Sequence, residues 1–227
     1  MRPPVIPEDL PLDSAFGADP GPAVPAERLL PEALRLRFRQ PPRNWAVEQS
    51  SDGRIFVPEQ PVRAAAVLIG LIERDGQLHV LFTVRSARLH HHAGQISFPG
   101  GREDPGDRGA IDTALREAQE EVGLDRNRVE VLGILPPYLT VSSYRVTSVV
   151  GLVRPGPALR ADPLEVEEFF DVPLAFLMNG AHHQRRVVMH EPTPRFLYAM
   201  EFHGRQRYFI WGATAAMLRN FYRFLLA

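Results

Sequence analysis

No cysteine occurs among the 227 residues, which excludes disulfides, thiolate metal sites and a cysteine nucleophile. Long apolar runs are missing as well. No stretch approaches the roughly 18 apolar residues of a membrane span, and the opening M-R-P-P-V-I-P-E-D-L has no apolar signal core. A cytoplasmic protein without membrane contact is the expectation. Excess charge of either sign is also absent: 26 basic and 27 acidic side chains leave a formal net charge of -1. That balance argues against a nucleic-acid-binding surface while leaving room for local basic patches. What is present is 44% hydrophobic content, enough at this length for the core of one domain with an appendage.

Proline is unevenly spread, with more than half of the 22 prolines before Val62. The chain is therefore expected to divide into a Pro-rich N-terminal arm, residues 1–60, and a folded domain, residues 61–227. The arm is expected to be extended or disordered to about Ala26. Residues 27–40, with Leu29, Leu30, Leu34, Leu36 and Phe38 among arginines, predict a short helix that docks on the domain or on a partner. From Val62 the pattern turns strand-like, with Asp75-Gly76 as a hairpin turn between two apolar runs. Further strands are predicted over residues 129–135, 144–153, 185–190, 194–202 and 206–211. An acidic loop and a helix start are expected over 161–179, and an amphipathic helix over 214–226. There is no internal repeat. This order predicts an α/β (α+β) sandwich with a mixed sheet.

The most informative segment is R-E-A-Q-E-E-V-G-L, residues 116–124. Ala114, Leu115, Ala118, Val122 and Leu124 give a helical apolar stripe, and Gly123 is placed to cap a helix ending near Glu121. Glu117 and Glu121 then stand one turn apart on one face, a like-charge pair costing roughly 0.2–0.5 kcal/mol, with Glu120 beside them. Negative charge at a helix C-terminus costs about 0.3–1 kcal/mol more. A bound divalent cation explains both violations. The competing account is a solvated acidic face with Arg116 paired to Glu120, although base before acid is the weaker order for such a pair. Upstream, F-P-G-G-R-E-D-P-G-D at residues 98–107 reads as a strand end breaking into a turn. There Gly100 and Gly101 permit close backbone approach, and Asp107 is placed to cap or charge the N-terminal end of the helix.

These residues resemble the Nudix hydrolases, whose box reads G, five residues, E, seven residues, then R-E-U-x-E-E-x-G-U with U aliphatic. Gly101, Arg116, Glu117, Ala118, Glu120, Glu121, Gly123 and Leu124 match. The chain departs by one extra residue before Arg116 and by Asp107 in place of the first Glu. Residues 81–101, L-F-T-V-R-S-A-R-L-H-H-H-A-G-Q-I-S-F-P-G-G, are similar to the segment preceding the box in coenzyme A diphosphatases. Arg85, Ser86, Gly94, Phe98, Pro99, Gly100 and Gly101 match there, and His90 stands in place of the usual Arg. That subfamily commonly carries the extra box residue. Segments 135–151 and 208–218 are also similar to downstream segments of these enzymes, so the resemblance covers most of the chain from about Pro61.

The resemblance implies a Nudix-type α/β/α sandwich with one catalytic box helix and a C-terminal helix. It also implies hydrolysis of the diphosphate bond of coenzyme A, or acyl-coenzyme A, to 4′-phosphopantetheine (or its acyl form) and 3′,5′-ADP. Metal is assigned to Glu117, Glu120 and Glu121, and hard oxygen ligands favour Mg²⁺ or Mn²⁺ over zinc. Glu117 and Glu121 are expected as direct ligands, Glu120 as a third ligand or the base, and Arg116 as a carboxylate-orienting group. An alternative base lies in the acidic loop at Glu165, Glu167 or Glu168. Substrate contacts are expected from Arg85, His90 with the adjacent His91 and His92, Gly100, Gly101 and Tyr138, with Tyr144 nearby. The three histidines lack the helical spacing of zinc ligands, and a solvated basic loop is their plainer reading. Trp211 is expected in the core rather than in a base-stacking platform. The runners-up are a pyrophosphatase acting on ADP-ribose or a dinucleotide such as NADH, and a non-catalytic nucleotide sensor. The expected partner is a small-molecule substrate, with a homodimer left open.

Overall fold

The computed structural model describes residues 7–17, 19–48, 61–88, 94–156, 158–190 and 193–227. Before the domain lie two helices, α1 (Ser14–Gly17) and α2 (Pro31–Arg39), with 3-10 turns at Pro7–Asp9 and Ala26–Leu29. Pro31 opens α2, where a missing N–H goes unnoticed. The short helix lies within the span expected for it. The preceding residues correct the expectation of an extended or disordered arm, because those described pack on the domain. Phe16, Val24, Leu29 and Leu34 are buried in its main core. Asp13 pairs with Arg185 at 2.6 Å, and Arg28 donates to the Leu226 carbonyl at 2.9 Å. Isolated apolar residues among prolines show no periodicity, yet each fills a gap on a neighbouring surface.

The domain begins with β1 (Arg63–Arg74) and β2 (Gln77–Arg85), joined at Asp75 and Gly76. Both turn residues have positive φ, 49° and 76°, as an Asp-Gly hairpin turn demands. Two short strands, β3 (Ile96–Ser97) and β4 (Gly100–Arg102), lead to α3 (Ala110–Val122), the box helix. Next come β5 (Val129–Ile134), β6 (Tyr138–Leu139), β7 (Tyr144–Val153), β8 (Val166–Pro173) and α4 (Leu174–Leu177). The chain continues through β9 (His183–His190), β10 (Thr193–His203), β11 (Arg207–Trp211) and α5 (Gly212–Leu226).

Eight strands form a mixed sheet along the path β3-β2-β1-β7-β5, with β4 on β1, β6 on β7 and β8 on β2, while β9, β10 and β11 form a separate antiparallel sheet. Strand β1 runs parallel to β7, and its other edge is shared by β4 near its start and β2 near its end. Alternation along β1 sorts its side chains to two layers. Ala66, Leu68 and Ile72 face Ala114, Ala118 and Val122 of α3. Ala65, Ile69 and Leu71 face the larger core, which includes Leu218 and Phe221 of α5. The mixed α+β sandwich with its box helix and C-terminal helix is as expected.

Strand β8 is a correction. Residues 161–179 read as an acidic loop and helix start, but β8 pairs antiparallel with β2 from His79–Pro173 to Arg85–Val166. Val166, Phe170 and Val172 alternate inward beneath the acidic residues that disguise the pattern. Among the described residues, no helix is long and apolar enough to cross a membrane.

Candidate active site

Strand β4 docks on β1 only because its first residues are glycine. A Cβ on Gly100 would overlap the Ala66 carbonyl oxygen and lie 2.6 Å from the Val67 Cα. A Cβ on Gly101 would lie 2.5 Å from the Glu117 carboxyl carbon, so that carboxylate rests directly on the strand backbone. The Gly100 N–H donates to Glu121 Oε2 at 3.2 Å. Two glycines thus seat two carboxylates of α3.

Helix α3 closes as expected, with Gly123 in the left-handed region at φ 65° and its N–H returned to the Gln119 carbonyl. Its start is different. Gly109 is the N-cap, and Asp107 does not cap the helix. Asp107 instead accepts from Arg116 Nε and Nη2, both at 2.9 Å, and from the Thr113 hydroxyl at 2.9 Å. The guanidinium holds the Asp107 carboxyl well below the usual carboxylate range. Arg116 uses its remaining nitrogen, Nη1, on Glu117 Oε1 and Glu120 Oε2, each at 2.9 Å. Arg116 therefore orients two box carboxylates, and Asp107 orients Arg116.

The three glutamates occupy different surroundings. Glu121 has a side chain only 3% exposed. Burial pushes its pKa up to about 8, against the opposing pull of the Gly100 N–H and Arg85. Burial also raises the Glu117 pKa, and Glu120 and Glu165 repel it further. Glu120 is 54% exposed and held by Arg116. Among the described residues, no three His, Cys, Asp or Glu groups already converge as a cation-ready cluster. The donor chemistry nonetheless fits a hard divalent cation: oxygen-only donors, two of them, Glu117 and Glu121, disfavoured as anions by burial and both set against the glycines of β4.

Of the three alternative bases, Glu165 lies in the exposed turn before β8 and acts electrostatically on both Glu117 and Glu121. Glu168 is engaged by the Tyr208 hydroxyl at 2.7 Å and by Gln206 Nε2 at 2.9 Å. Glu167 is exposed on β8. The acidic-loop placement therefore holds for Glu165 alone.

Arg85 stands where a bulge interrupts the β2–β8 register between Val84 and Arg85. Its Nη1 lies 3.8 Å from Glu121 Oε1, and among the described residues its buried Nε has no partner. His90, with His91 and His92, lies outside the described residues. Tyr138 lies on the two-residue strand β6, 1% exposed and paired with Val146.

Beside these groups a cavity of about 880 Å³ opens between the large sheet and the three-stranded sheet. Gly100, Gly101 and Arg85 reach it, Arg63 and Arg102 add positive charge, and Val188, Phe196 and Trp211 supply an apolar wall. Tyr138 and Tyr144 also line it. Sequence reasoning missed Arg63, Arg102 and Phe196 and placed Trp211 in the core, whereas Trp211 is only partly buried in this wall. A signal did exist in β1: Ala65 and Val67 are smaller than Ile69 and Leu71 on the same face, which leaves room at that end.

The family model of the NUDIX domain matches residues 61–190. An uncharacterized Nudix hydrolase of Escherichia coli strain K12, NudL, is 42% identical over 159 residues, covering 70% of this chain and 80% of the relative. Its counterpart in Shigella boydii serotype 18 is 41% identical with the same coverage. Among solved structures, the NUDIX domain of Shewanella oneidensis NrtR complexed with ADP ribose is 21% identical with a TM-score of 0.42. That likeness covers 53% of this chain and 80% of the other.

Proposed function

This chain belongs to the NUDIX domain family, and from that membership we propose that it hydrolyses the diphosphate bond of coenzyme A, free or acylated, to 4′-phosphopantetheine (or its acyl form) and 3′,5′-ADP. It is a hydrolase of phosphoric anhydrides, and nucleoside diphosphate derivatives are its substrate class. The observation that carries the finer reading is the cavity. At about 880 Å³ it falls in the roughly 300–1,000 Å³ range of ligand sites. It starts at the glycine seat of the carboxylates, carries guanidinium groups, and has an apolar wall, as an anionic nucleotide joined to a long, mostly uncharged arm would require. The Arg85-Ser86 to Gly100-Gly101 resemblance favours the same substrate. In this reading, residues 61–227 form the catalytic domain and residues 1–60 an accessory arm.

Nudix hydrolases generally use divalent metal ions, and Mg²⁺ or Mn²⁺ suits these oxygen donors. Glu117 and Glu121 would hold the ion, with Glu120 as a third donor beside them. Such an ion neutralises the non-bridging oxygens of a diphosphate and polarises water. The chain's own groups do the remaining work. Arg116, anchored by Asp107, fixes the direction of the Glu117 carboxylate. Arg85 adds positive charge beside Glu121 and binds a diphosphate oxygen. Glu165, exposed next to the cluster, accepts the proton of the attacking water.

Mass-resolved product analysis tests this reading, with purified protein, Mg²⁺ and separate portions of coenzyme A, dephospho-coenzyme A, ADP-ribose and NADH. Appearance of 3′,5′-ADP from coenzyme A, lost in Glu121→Gln, is the expected result. Cleavage of ADP-ribose or NADH alone would discard the substrate but keep the chemistry. Silence on all four would favour a nucleotide sensor.

A further inference from the structure

Resting on the substrate reading above, we infer that Arg63 and Arg102, with the Tyr144 hydroxyl, form an anion subsite for a substrate phosphomonoester remote from the diphosphate that is cleaved. Arg85 is the cation beside the carboxylates, 3.8 Å from Glu121, and so serves the scissile diphosphate. Arg63 and Arg102 line the same cavity at a different place.

Strand register gives the spacing. Gly100 sits opposite Val67 and Arg102 opposite Ala65, while Arg63 lies two residues further along β1. At about 3.3 Å per residue, the Arg102 pair lies roughly 7 Å and Arg63 roughly 13 Å along the strand from the glycine seat. Arg63, Ala65 and Val67 share one face, and Arg102 points to it as the cross-strand partner of Ala65.

Among the described residues, the subsite is short of carboxylates. Among the described residues, Arg63 has no carboxylate within ion-pair distance. Its Nη1 meets the Tyr144 hydroxyl at 3.4 Å, and its guanidinium lies 5.7 Å from the centre of that ring. Among the described residues, the Arg102 guanidinium has only a long contact to the exposed Asp104, at 3.8 Å. The backbone beneath Arg63 is firmly held. Its N–H donates to the Ser143 carbonyl at 2.9 Å, and Ser143 adopts φ 62°, a conformation non-glycine residues rarely take. Thr140 and Ser142 extend the hydroxyl edge of the cavity, their hydroxyls 3.0 Å apart. Two guanidiniums and a row of hydroxyls fit a phosphomonoester, an acceptor-only group carrying about −1.5 to −2 charge at neutral pH.

The test separates binding from turnover. Titration calorimetry compares 3′,5′-ADP with 5′-AMP on wild type, Arg63→Gln, Arg102→Gln and the conservative Arg63→Lys. Wild type is expected to bind 3′,5′-ADP about tenfold more tightly, the worth of one charge-assisted hydrogen bond. Arg63→Gln should erase most of that difference, Arg102→Gln part of it, and Arg63→Lys should restore some. In turnover, Arg63→Gln should raise KM for coenzyme A far more than for dephospho-coenzyme A, with kcat little moved. Equal binding of the two nucleotides by wild type, or equal losses on both in the variants, would overturn the subsite. Discrimination between the nucleotides without cleavage of coenzyme A would overturn the substrate reading and leave the subsite standing.

Discussion

Replacing either glycine of the seat with alanine should separate folding from catalysis, because the two added methyl groups collide with different things. In Gly101→Ala the Cβ would lie 2.5 Å from the Glu117 carboxyl carbon and 2.6 Å from one of its oxygens. Carbon contacts are comfortable near 3.5 Å, so the carboxylate must retreat by about 1 Å. It is the end of a flexible side chain and can do so without moving the backbone. The melting temperature is therefore expected within about 2 °C of wild type, which for a chain of this size means about 1 kcal/mol or less. Activity has no such tolerance. A 1 Å misplacement at a reacting centre costs on the order of 10²-fold in rate. Gly100→Ala meets the Ala66 carbonyl and the Val67 Cα, which cannot retreat, and is expected to lose about 1–3 kcal/mol of stability. Thermal melts and initial rates on coenzyme A across a Mg²⁺ titration read both effects. Wild-type rate and metal dependence in Gly101→Ala would show that Glu117 does not need this seat. A melting temperature far below wild type would show that the collision is with the fold.

Glu121→Gln replaces a buried carboxyl whose pKa burial pushes up to about 8, so that folding at neutral pH no longer requires proton uptake there, and is expected to raise the stability of the metal-free protein while abolishing turnover; activity near wild type would remove Glu121 from the site. His183 is buried between the Leu177 carbonyl, 2.7 Å from Nε2, and Arg219, 3.0 Å from Nδ1, and burial pushes its pKa down to about 4. The folded state thus rejects a proton that the unfolded chain takes up near pH 6.5. Stability is full above pH 6.5 and falls as pH drops toward 4, by about 2 kcal/mol at pH 5. Urea unfolding at pH 7.5 and pH 5 should show a smaller drop in His183→Gln than in wild type, and equal drops would absolve the histidine. Leu34→Ala on α2 should cost about 2–5 kcal/mol, since Leu34 is 0% exposed. Removing the chain through Gln40 should lower the melting temperature or the soluble yield, although no described arm residue lines the cavity; an unchanged melt would mean that arm packing contributes nothing.

Features written in short stretches of chain were legible. The Asp75-Gly76 turn, the apolar stripe of α3 and its Gly123 cap depend on neighbours within a turn or two, and each lies where its pattern predicts. Strand β8 was hidden because Glu167, Glu168 and Asp171 are interleaved with its apolar residues and read as loop. The cap role offered for Asp107 did not hold because its partner, Arg116, lies nine residues away across a turn that only the folded chain closes. The cavity was least legible. It exists where small residues of β1 face β10 and β11, and no local pattern records which distant strands will stand opposite.

The carboxylates sit on α3, inside the stretch matched by the NUDIX family model, residues 61–190, whereas Phe196 and Trp211 of the cavity wall lie beyond it. The carboxylates and this part of the cavity wall are thus carried by separable lengths of polypeptide. A lineage could rewrite the wall, one hairpin at a time, and inherit the bond-breaking end unaltered. An engineer seeking a new substrate would start at β10 and β11 and leave the glycine seat alone.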